Sequence, residues 1–289
     1  MQHRSRVAYR ARTMWVRALL DAARARGVSI AWTAHNRIGH DDPHPDLGVA
    51  ARHMLLARCD AVFGHFAAAE PWARSLGFRG RFAVHPHPGF AADYADPFAD
   101  AAARRAFRAA HGIADDELLL VSPGSIEPYK RLPRVAEALR SIDGVRWRWT
   151  AVGRAAPEPL RALRSAAADD ARIRVEVGFA DRARLAAWIA AADATVLAHD
   201  DLFTSGSAVL SLSLGTPVLG PSVQHLATFA GAPFFVAWDP ESPSTLGPAL
   251  DVLRTMAGDA RDAARRTAAA TTWDDAAAVV DAHLFGAAA

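Results

Sequence analysis

Short apolar runs alternate with longer amphipathic segments along this chain of 289 residues. Apolar runs rich in β-branched residues predict buried strands, and apolar residues recurring every three or four positions predict helices. The predicted strands are residues 28–33, 61–63, 82–84, 118–121, 147–152, 173–177, 194–197 and 218–219. The predicted helices are residues 5–26, 48–58, 69–76, 100–110, 132–140, 158–168, 182–191, 207–214 and 273–284. This alternation favours an α/β fold of doubly wound, parallel sheets covered by helices on both faces.

The composition argues against several classes of protein. The net charge is only +2 and the basic residues are interleaved with acidic ones, which argues against a nucleic-acid-binding protein. No apolar run approaches the roughly 20 residues of a membrane-spanning helix. The N-terminal residues are basic but lack the apolar region of a secretory leader. The single cysteine, Cys59, excludes an intrachain disulfide and favours the cytoplasm.

Two residues are conspicuous by their rarity. Lys130 is the single lysine among 33 basic residues, and Asn36 is the single asparagine. The abundance of alanine and arginine indicates a GC-rich genome, in which lysine and asparagine codons are disfavoured. Lys130 and Asn36 are therefore candidate functional residues, although chance survival is the alternative for either one alone.

Histidines follow two strands of the first half of the chain. In open α/β sheets ligands bind beyond the carboxyl ends of the strands, so these segments are candidate site walls. His35 can hydrogen-bond a sugar hydroxyl or exchange a proton near neutral pH. A histidine satisfied by backbone groups is the alternative. Asn36 and His87 are assigned with it to the acceptor side of a transfer reaction.

The segment from Ser122 to Lys130 offers groups that suit a diphosphate. Gly124 permits close approach of the backbone, and Ser125 supplies a hydroxyl. Lys130 lies at the start of a helix, where the backbone N–H groups and the dipole also favour anions. A solvated surface lysine is the alternative interpretation.

Two further strand ends carry candidate donor-binding residues. Ser205, Gly206 and Ser207 begin a helix and can form a phosphate-binding nest, and a simple N-cap is the alternative. Gly178 and Phe179 follow another strand and can contact the nucleoside, and a packing role for Phe179 is equally consistent with the sequence.

Acidic residues raise the question of a metal. Asp200 and Asp201 could hold a divalent cation beside the diphosphate. Because a lysine and two helix N-termini already supply positive potential, we predict no metal and assign both aspartates to the nucleoside. His40 and Asp41 lie in a proline-containing loop with no strong metal-ligand spacing, so we assign them to the acceptor side.

Taken in order, several stretches resemble the GT-B fold glycosyltransferases, in particular the family 4-like enzymes of bacterial exopolysaccharide assembly. The stretches are WTAHN (32–36), VHPHP (84–88), GSIEPYK (124–130), AVG (151–153), AADATVLAH (191–199), SGSAVLSLSLGTPV (205–218) and TWDDAA (272–277). The resemblance extends from about Ser29 to Phe285. Each stretch is a weak signal, but their order and spacing make the set fairly specific.

The resemblance implies two Rossmann-like domains facing a cleft. It implies a shortened acceptor-side domain over residues 1–113 and a nucleotide-sugar-binding domain over residues 114–271. Residues 272–289 would form a C-terminal helix that crosses back to the first domain.

The resemblance also implies roles for individual residues. Lys130 matches the family's diphosphate-binding lysine, His35 matches the histidine that contacts the transferred sugar, and residues 205–207 match the segment that contacts the phosphates. Such enzymes generally need no bound metal, and no cofactor beyond the nucleotide-sugar substrate is expected.

The sequence departs from the family pattern in two ways. Leu202 and Leu210 stand where the family often has two glutamates, and the first domain is short. We expect a glycosyltransferase that moves a hexose from a nucleotide-diphosphate donor to a glycan or lipid-linked acceptor, with retention or inversion left open. A nucleotide-sugar-binding partner subunit without catalysis and a sugar-nucleotide epimerase are the alternatives.

The first predicted helix is rich in arginine and also carries apolar residues. Val7, Met14, Trp15 and Leu19 lie among seven arginines and one aspartate. This pattern predicts peripheral contact with the anionic inner face of the plasma membrane, which suits a lipid-linked acceptor. A solvated arginine-rich helix is the alternative.

Overall fold

The computed structural model describes residues 5–39, 42–98, 100–178, 181–199, 201–256 and 258–286. The chain forms two compact units. The first comprises Met1–His87 together with Thr272–Ala289, and the second comprises Pro88–Thr271.

Helices and strands alternate through both units. The helices are α1 (Arg6–Ala25), α2 (Pro45–Leu56), α3 (Ala69–Ser75), α4 (Ala101–Ala110), α5 (Leu132–Arg140), α6 (Pro157–Ala167), α7 (Arg182–Ala191), α8 (Gly206–Ser213), α9 (Gln224–Ala227), α10 (Leu246–Thr255), α11 (Asp259–Ala269) and α12 (Trp273–Phe285). The strands are β1 (Ala31–Thr33), β2 (Ala61–Gly64), β3 (Arg81–Val84), β4 (Leu118–Pro123), β5 (Trp147–Gly153), β6 (Ile173–Val177), β7 (Ala194–Val196), β8 (Val218–Gly220) and β9 (Phe235–Ala237).

The first unit contains a three-stranded parallel sheet in the order β1–β2–β3. The central strand β2 is buried along its whole length, which explains its uninterrupted apolar sequence. Helix α12 packs against β2 and β3. It begins with a capping box, in which the Thr272 hydroxyl accepts from the Asp275 backbone N–H and the Asp275 carboxylate accepts from the Thr272 backbone N–H.

The second unit contains a six-stranded parallel sheet in the order β6–β5–β4–β7–β8–β9. This is the doubly wound order that the sequence predicts. Every residue of β4 is buried, and its core neighbours include Trp149 and Val196. The strand order reverses between β4 and β7, and in such sheets ligands bind at the carboxyl ends of the strands on either side of the reversal.

The boundary between the units differs from the one expected near residue 113. Residues 88–113 belong to the second unit because α4 packs on α7, which in turn packs on β4. Arg108 and Arg104 both donate to the Asp193 carboxylate, at 2.9 and 2.8 Å. Long-range pairing decides the boundary here, and local sequence does not reveal it.

The two chain segments that enter and leave the second unit are hydrogen-bonded to each other. The Gly89 backbone N–H donates to the Thr271 carbonyl at 3.1 Å. A Cβ atom at Gly89 would lie 2.3 Å from the Ala268 carbonyl oxygen, so the close approach requires glycine. Residue 272, immediately after this contact, begins the return to the first unit.

Several elements depart from the sequence-based expectation. β1 begins at Ala31 rather than residue 28, and Val28 is 53% exposed. α2 begins at Pro45 rather than residue 48, because Pro45 occupies the first turn, where its missing N–H costs nothing. Helices α9, α10 and α11 and strand β9 are absent from the prediction.

Helix α1 packs on α2 and keeps much of its surface in solvent. Val7, Met14, Trp15 and Leu19 are 77%, 70%, 63% and 50% exposed. On the other side, Arg6 pairs with Asp46 and the Tyr9 hydroxyl donates to Asp42 at 2.9 Å. Among the helices that the structure describes, none combines the length and apolar character needed to span a bilayer.

Candidate functional site

The reversal point of the second sheet is held together by side-chain hydrogen bonds. The Ser122 hydroxyl at the end of β4 donates to the Val196 carbonyl of β7 at 2.9 Å, and the Trp149 indole N–H donates to Ser122 Oγ at 3.1 Å. The Trp238 indole N–H donates to the Leu197 carbonyl at 3.1 Å. These buried contacts fix the two strand ends from which the candidate donor site extends.

The backbones that follow β4 and β5 approach each other too closely for side chains. Gly124 has φ +90°, and its N–H donates to the Val152 carbonyl at 2.9 Å. A Cβ atom at Gly153 would lie 2.0 Å from the Gly124 carbonyl oxygen. A Cβ atom at Gly124 would lie 2.8 Å from Lys130 Nζ. The predicted close approach at Gly124 therefore leaves bare backbone beside an ammonium group.

Lys130 is buried rather than solvated, which argues against the surface-lysine alternative. It is 5% exposed and ends the short 3-10 turn Pro128–Lys130, so its ammonium returns to the end of β4. Nζ donates to the Pro123 carbonyl at 2.9 Å. Burial lowers the pKa of Lys130 to about 8, although the nearby Glu127 carboxylate opposes that lowering. Within the described ranges no carboxylate forms an ion pair with Lys130, so its charge is available to an anion.

The residues around Lys130 complete this loop. Ser125 directly follows Gly124 and is half-buried. The ring of Tyr129 meets the ring of His199 edge to face, with centroids 5.5 Å apart, so the loop after β4 contacts the segment after β7. Backbone, hydroxyl and ammonium groups thus share the edge of the sheet where the sequence predicts the diphosphate.

The start of α8 contains the N-cap that was the alternative to a phosphate-binding nest. The Ser205 hydroxyl accepts from the Ala208 backbone N–H at 3.2 Å, which makes it the N-cap. The Ser205 backbone N–H donates to His225 Nδ1 at 3.2 Å. Gly206 and Ser207 form the first turn and are half-buried, and first-turn N–H groups have no partner inside the helix. Ser205 is thus committed to capping, and the anion-binding potential lies in the turn after it.

Side-chain oxygen atoms near the ends of β7 and β8 are buried without a hydrogen-bond partner in the described structure. They are Asp201 Oδ1, Thr204 Oγ1 and Gln224 Oε1. Gln224 also has an unusual φ of +50°. Orphaned buried polar atoms are rare in proteins, and a bound polar ligand is one explanation. Thr204 and Gln224 are additions to the sequence-based candidates.

The remaining nucleoside candidates are only partly described. Gly178 follows β6, and its N–H donates to the Gly153 carbonyl at 3.1 Å. β6 lies two strands from β4, so Gly178 lies at the flank of the same sheet edge. Phe179 and Asp200 lie outside the described residues.

The two leucines that replace the family's glutamates are core residues. Leu202 is 0% exposed and packs with Leu197 and Leu226, and Leu210 is 8% exposed and packs with Leu214 and Ile189. No carboxylate is supplied from either position.

Four histidines gather at the carboxyl edge of the first sheet. His35 follows β1, His65 follows β2, and His85 and His87 follow β3. His65 Nε2 lies 3.0 Å from His35 Nδ1, and His65 Nδ1 lies 3.1 Å from the His85 carbonyl oxygen. The ring centroid of His65 lies 4.8, 4.9 and 4.9 Å from those of His35, His85 and His87. Sequence reasoning found His35 and His87 and missed His65 and His85.

Two of the four histidines, His65 and His85, are buried, whereas His35 is partly exposed to solvent. Burial, together with the charges of the neighbouring histidines, lowers the pKa of His65 to about 3. Burial also lowers the pKa of His35 and of His85. Neutral imidazoles, which can accept protons, therefore occupy this edge at neutral pH.

The structure shows fewer contacts for the other acceptor-side candidates. Asn36 follows His35 and is half-buried, and His87 packs edge to face against Trp273 of α12. His40 and Asp41 lie outside the described residues. Across the described ranges, no group of three or more His, Cys, Asp or Glu side chains has a metal-binding arrangement.

A cavity of about 380 Å³ lies at the opposite, amino-terminal end of the second sheet. It is lined by charged residues that include Arg104, Glu117, Asp193 and Arg261. Arg104 pairs with Asp193 and Arg261 donates to the Ala190 and Ala192 carbonyls, and the cavity is remote in the fold from Lys130.

Solved structures share this architecture. Sucrose-phosphate synthase from Thermosynechococcus elongatus superposes with a TM-score of 0.71 and 18% identity, covering 90% of this chain and 69% of that one. HepE of Anabaena in complex with UDP and glucose gives a TM-score of 0.72 and 13% identity, covering 91% and 74%. WaaG, a glycosyltransferase of lipopolysaccharide biosynthesis, gives 0.63 and 19%, covering 89% and 75%. The chain has the GT-B fold of glycosyltransferases.

A relative found by sequence similarity matches part of the chain. The chain is 32% identical over 108 residues to GDP-mannose:glycolipid 4-beta-D-mannosyltransferase of Xanthomonas campestris pv. campestris. The match covers 37% of this chain and 31% of that enzyme, so the chain matches about a third of the relative's length. No protein-family profile matches the chain.

Proposed function

We propose that this protein is a glycosyltransferase that moves a hexose from a nucleotide-diphosphate donor to a glycan or glycolipid acceptor. The observation that carries the proposal is the buried Lys130 ammonium beside the bare backbone of Gly124, at the carboxyl end of β4. Lys130 has no carboxylate ion pair among the described residues, so its buried charge is unfavourable in the free protein, and an anionic ligand would relieve that cost. The glycolipid mannosyltransferase relative supports the same class of reaction.

The second unit binds the donor and stabilises its leaving group. As the bond from the sugar anomeric carbon to the diphosphate oxygen breaks, its electron pair passes to the diphosphate. Lys130 and the Ser125 hydroxyl stabilise the developing charge, together with the first-turn N–H groups at Gly206 and Ser207. These groups provide the positive potential without a metal, so the donor binds equally well with and without magnesium.

The nucleoside lies at the same sheet edge, where Gly178 is on the β6 side of β4 and Asp201 is on the β7 side. Asp201 Oδ1, Thr204 Oγ1 and Gln224 Oε1 have no hydrogen-bond partner among the described residues, so they are suited to accept hydrogen bonds from ribose hydroxyls or from the base. These oxygens would make the hydrogen bonds to the nucleoside that no carboxylate at Leu202 or Leu210 can make.

The first unit acts on the acceptor. An acceptor hydroxyl attacks the anomeric carbon and gives its proton to His35, with Asn36 and His87 beside it. A histidine that is neutral at pH 7 is suited to act as a general base. If His35 is the single base, the anomeric configuration inverts.

The exposed apolar residues of α1 support peripheral contact with an anionic membrane, where a lipid-linked acceptor would lie. Trp15 and Leu19 can enter the headgroup region while neighbouring arginines attract anionic lipid. This would place the enzyme on the inner face of the plasma membrane.

A catalytically silent, nucleotide-sugar-binding partner subunit is the second candidate, and the buried Leu202 and Leu210 favour it. The experiment is a panel of nucleotide sugars in thermal-shift assays with and without magnesium, followed by product analysis with a glycolipid acceptor. A magnesium-independent shift with one donor and a glycosylated product support the enzyme. A shift without product supports the partner subunit, and no shift with any donor overturns the donor site.

A further inference from the structure

The hydrogen bonds of His65 determine which of its ring nitrogens carries the proton. His65 Nδ1 lies 3.1 Å from the His85 carbonyl oxygen. A carbonyl oxygen only accepts hydrogen bonds, so His65 Nδ1 must be the protonated donor. The contact joins residues that follow adjacent strands, β2 and β3, so the sheet itself positions it.

The second nitrogen of His65 is then an acceptor. His65 is 5% exposed and has three other histidines around it, and its pKa of about 3 keeps the ring neutral. A neutral imidazole has one N–H, and the Nδ1 position already holds it. His65 Nε2 therefore offers a lone pair to His35 Nδ1, which lies 3.0 Å away.

The direction of these hydrogen bonds also determines the tautomer of His35. Because His65 Nε2 accepts, His35 Nδ1 must donate, and a neutral His35 then has its lone pair on Nε2. His35 is solvent-exposed at the sheet edge, whereas His65 is buried behind it. The buried histidine thus selects the tautomer of the exposed one.

We propose that His65 is a positioning residue that holds His35 in the Nδ1–H tautomer, so that His35 Nε2 is the atom that takes the acceptor's proton. The tautomer assignment rests on the two hydrogen-bond distances and on the burial of His65, whereas the catalytic part rests on the proposed glycosyltransferase function. In the reaction the acceptor O–H bond breaks as its oxygen bonds to the anomeric carbon, and the proton goes to His35 Nε2. The diphosphate leaves with the electron pair, and the imidazolium of His35 keeps its hydrogen bond to His65.

The tautomer is tested first by NMR, without donor or acceptor. Long-range ¹H–¹⁵N spectra of protein labelled in its histidines report which ring nitrogen carries the proton, and a His35→Gln variant identifies the His35 signals. The expected result at pH 8 is His35 with a protonated Nδ1 and a bare Nε2. A His35 ring protonated at Nε2 overturns the inference, whether or not the protein proves to be a glycosyltransferase.

The catalytic part is tested by the transfer rate of two variants. His65→Leu removes the acceptor for His35 Nδ1 and should lower kcat about 100-fold, the lower end of the range typical of general-base catalysis, with the donor KM unchanged. His65→Gln can place an amide oxygen near the former Nε2 and should recover much of that loss. A His65→Leu variant that folds, shown by an intact donor-induced thermal shift, and keeps the wild-type kcat overturns the positioning role. So does an equal loss in both variants.

The outcomes separate the two proposals. If wild-type protein transfers no sugar with any donor, the proposed function fails while the NMR result still decides the tautomer. If transfer occurs and the tautomer is the opposite one, the function stands and the role of His65 falls.

Discussion

Replacing Lys130 by methionine should stabilise the free protein and abolish donor binding at the same time. Burial lowers the pKa of Lys130 from 10.5 to about 8. At about 1.4 kcal/mol per pH unit, the protonated ammonium destabilises the folded state by about 3 kcal/mol at pH 7. The lost hydrogen bond to the Pro123 carbonyl offsets about 1 kcal/mol of the gain. The net stabilisation is about 2 kcal/mol, or about 4–8 °C in Tm for a unit of this size.

The sign of the pH dependence follows from the direction of the pKa change. Because the folded-state pKa is lowered, the penalty is fully present below pH 8 and disappears as the pH rises toward 10.5. The difference in Tm between Lys130→Met and wild type should therefore shrink above pH 8. Calorimetry at pH 7 and at pH 10 measures both values.

The assay also separates stability from function. Nucleotide sugar at a thousand times its Kd should stabilise wild type by about 4 kcal/mol and leave Lys130→Met unaffected. Arg161→Met, an exposed substitution on α6 of the same charge change, is the control and should alter neither Tm nor the ligand response. A Lys130→Met protein that melts at or below the wild-type temperature, or that the donor still stabilises, would refute the reasoning.

Four further expectations concern other parts of the molecule. The affinity for a nucleotide sugar should be constant below pH 8 and fall up to tenfold per pH unit above it, as the buried lysine loses its proton; calorimetric titration would contradict this if affinity rose with pH. Gly153→Ala should lower stability by about 3 kcal/mol and weaken donor binding, since its Cβ would lie 2.0 Å from a carbonyl oxygen; an unchanged denaturation midpoint would count against the close approach. Arg108→Leu should cost about 3 kcal/mol by breaking a buried ion pair, whereas the exposed Arg105→Leu should be near neutral in the same urea titration. Trp15→Ser with Leu19→Ser should reduce sedimentation with phosphatidylserine vesicles severalfold, and equal sedimentation would remove the proposed role of α1.

The α/β architecture was predictable because its strongest signals are local. β4 is a six-residue strand buried on both faces, and its first four residues, 118–121, are all apolar. The α12 boundary is marked by the capping residues Thr272 and Asp275. The missed helix α11 lacks such signals, because its buried positions are the small residues Ala260, Ala264 and Ala268, which give little contrast with its solvent face.

The candidate sites were predictable to different degrees. Lys130 was identifiable because lysine is otherwise excluded from this chain, and its position in the loop after β4 follows from the strand pattern. His65 was not identifiable, because one histidine after a short strand resembles any core histidine. Only the parallel register of β1, β2 and β3 brings it within hydrogen-bond distance of His35.

The hydrogen bond between Gly89 and Thr271 has a consequence for how the chain can be divided. The second unit leaves and rejoins the rest of the sequence at neighbouring points, so it is an insert with its two ends already tied together. Closing such a segment into an independent protein requires little additional ordering, because its ends do not need to be brought together. We therefore expect that residues 88–271 can be expressed alone as one module, or exchanged for the matching segment of another GT-B protein without changing the order of the remaining chain.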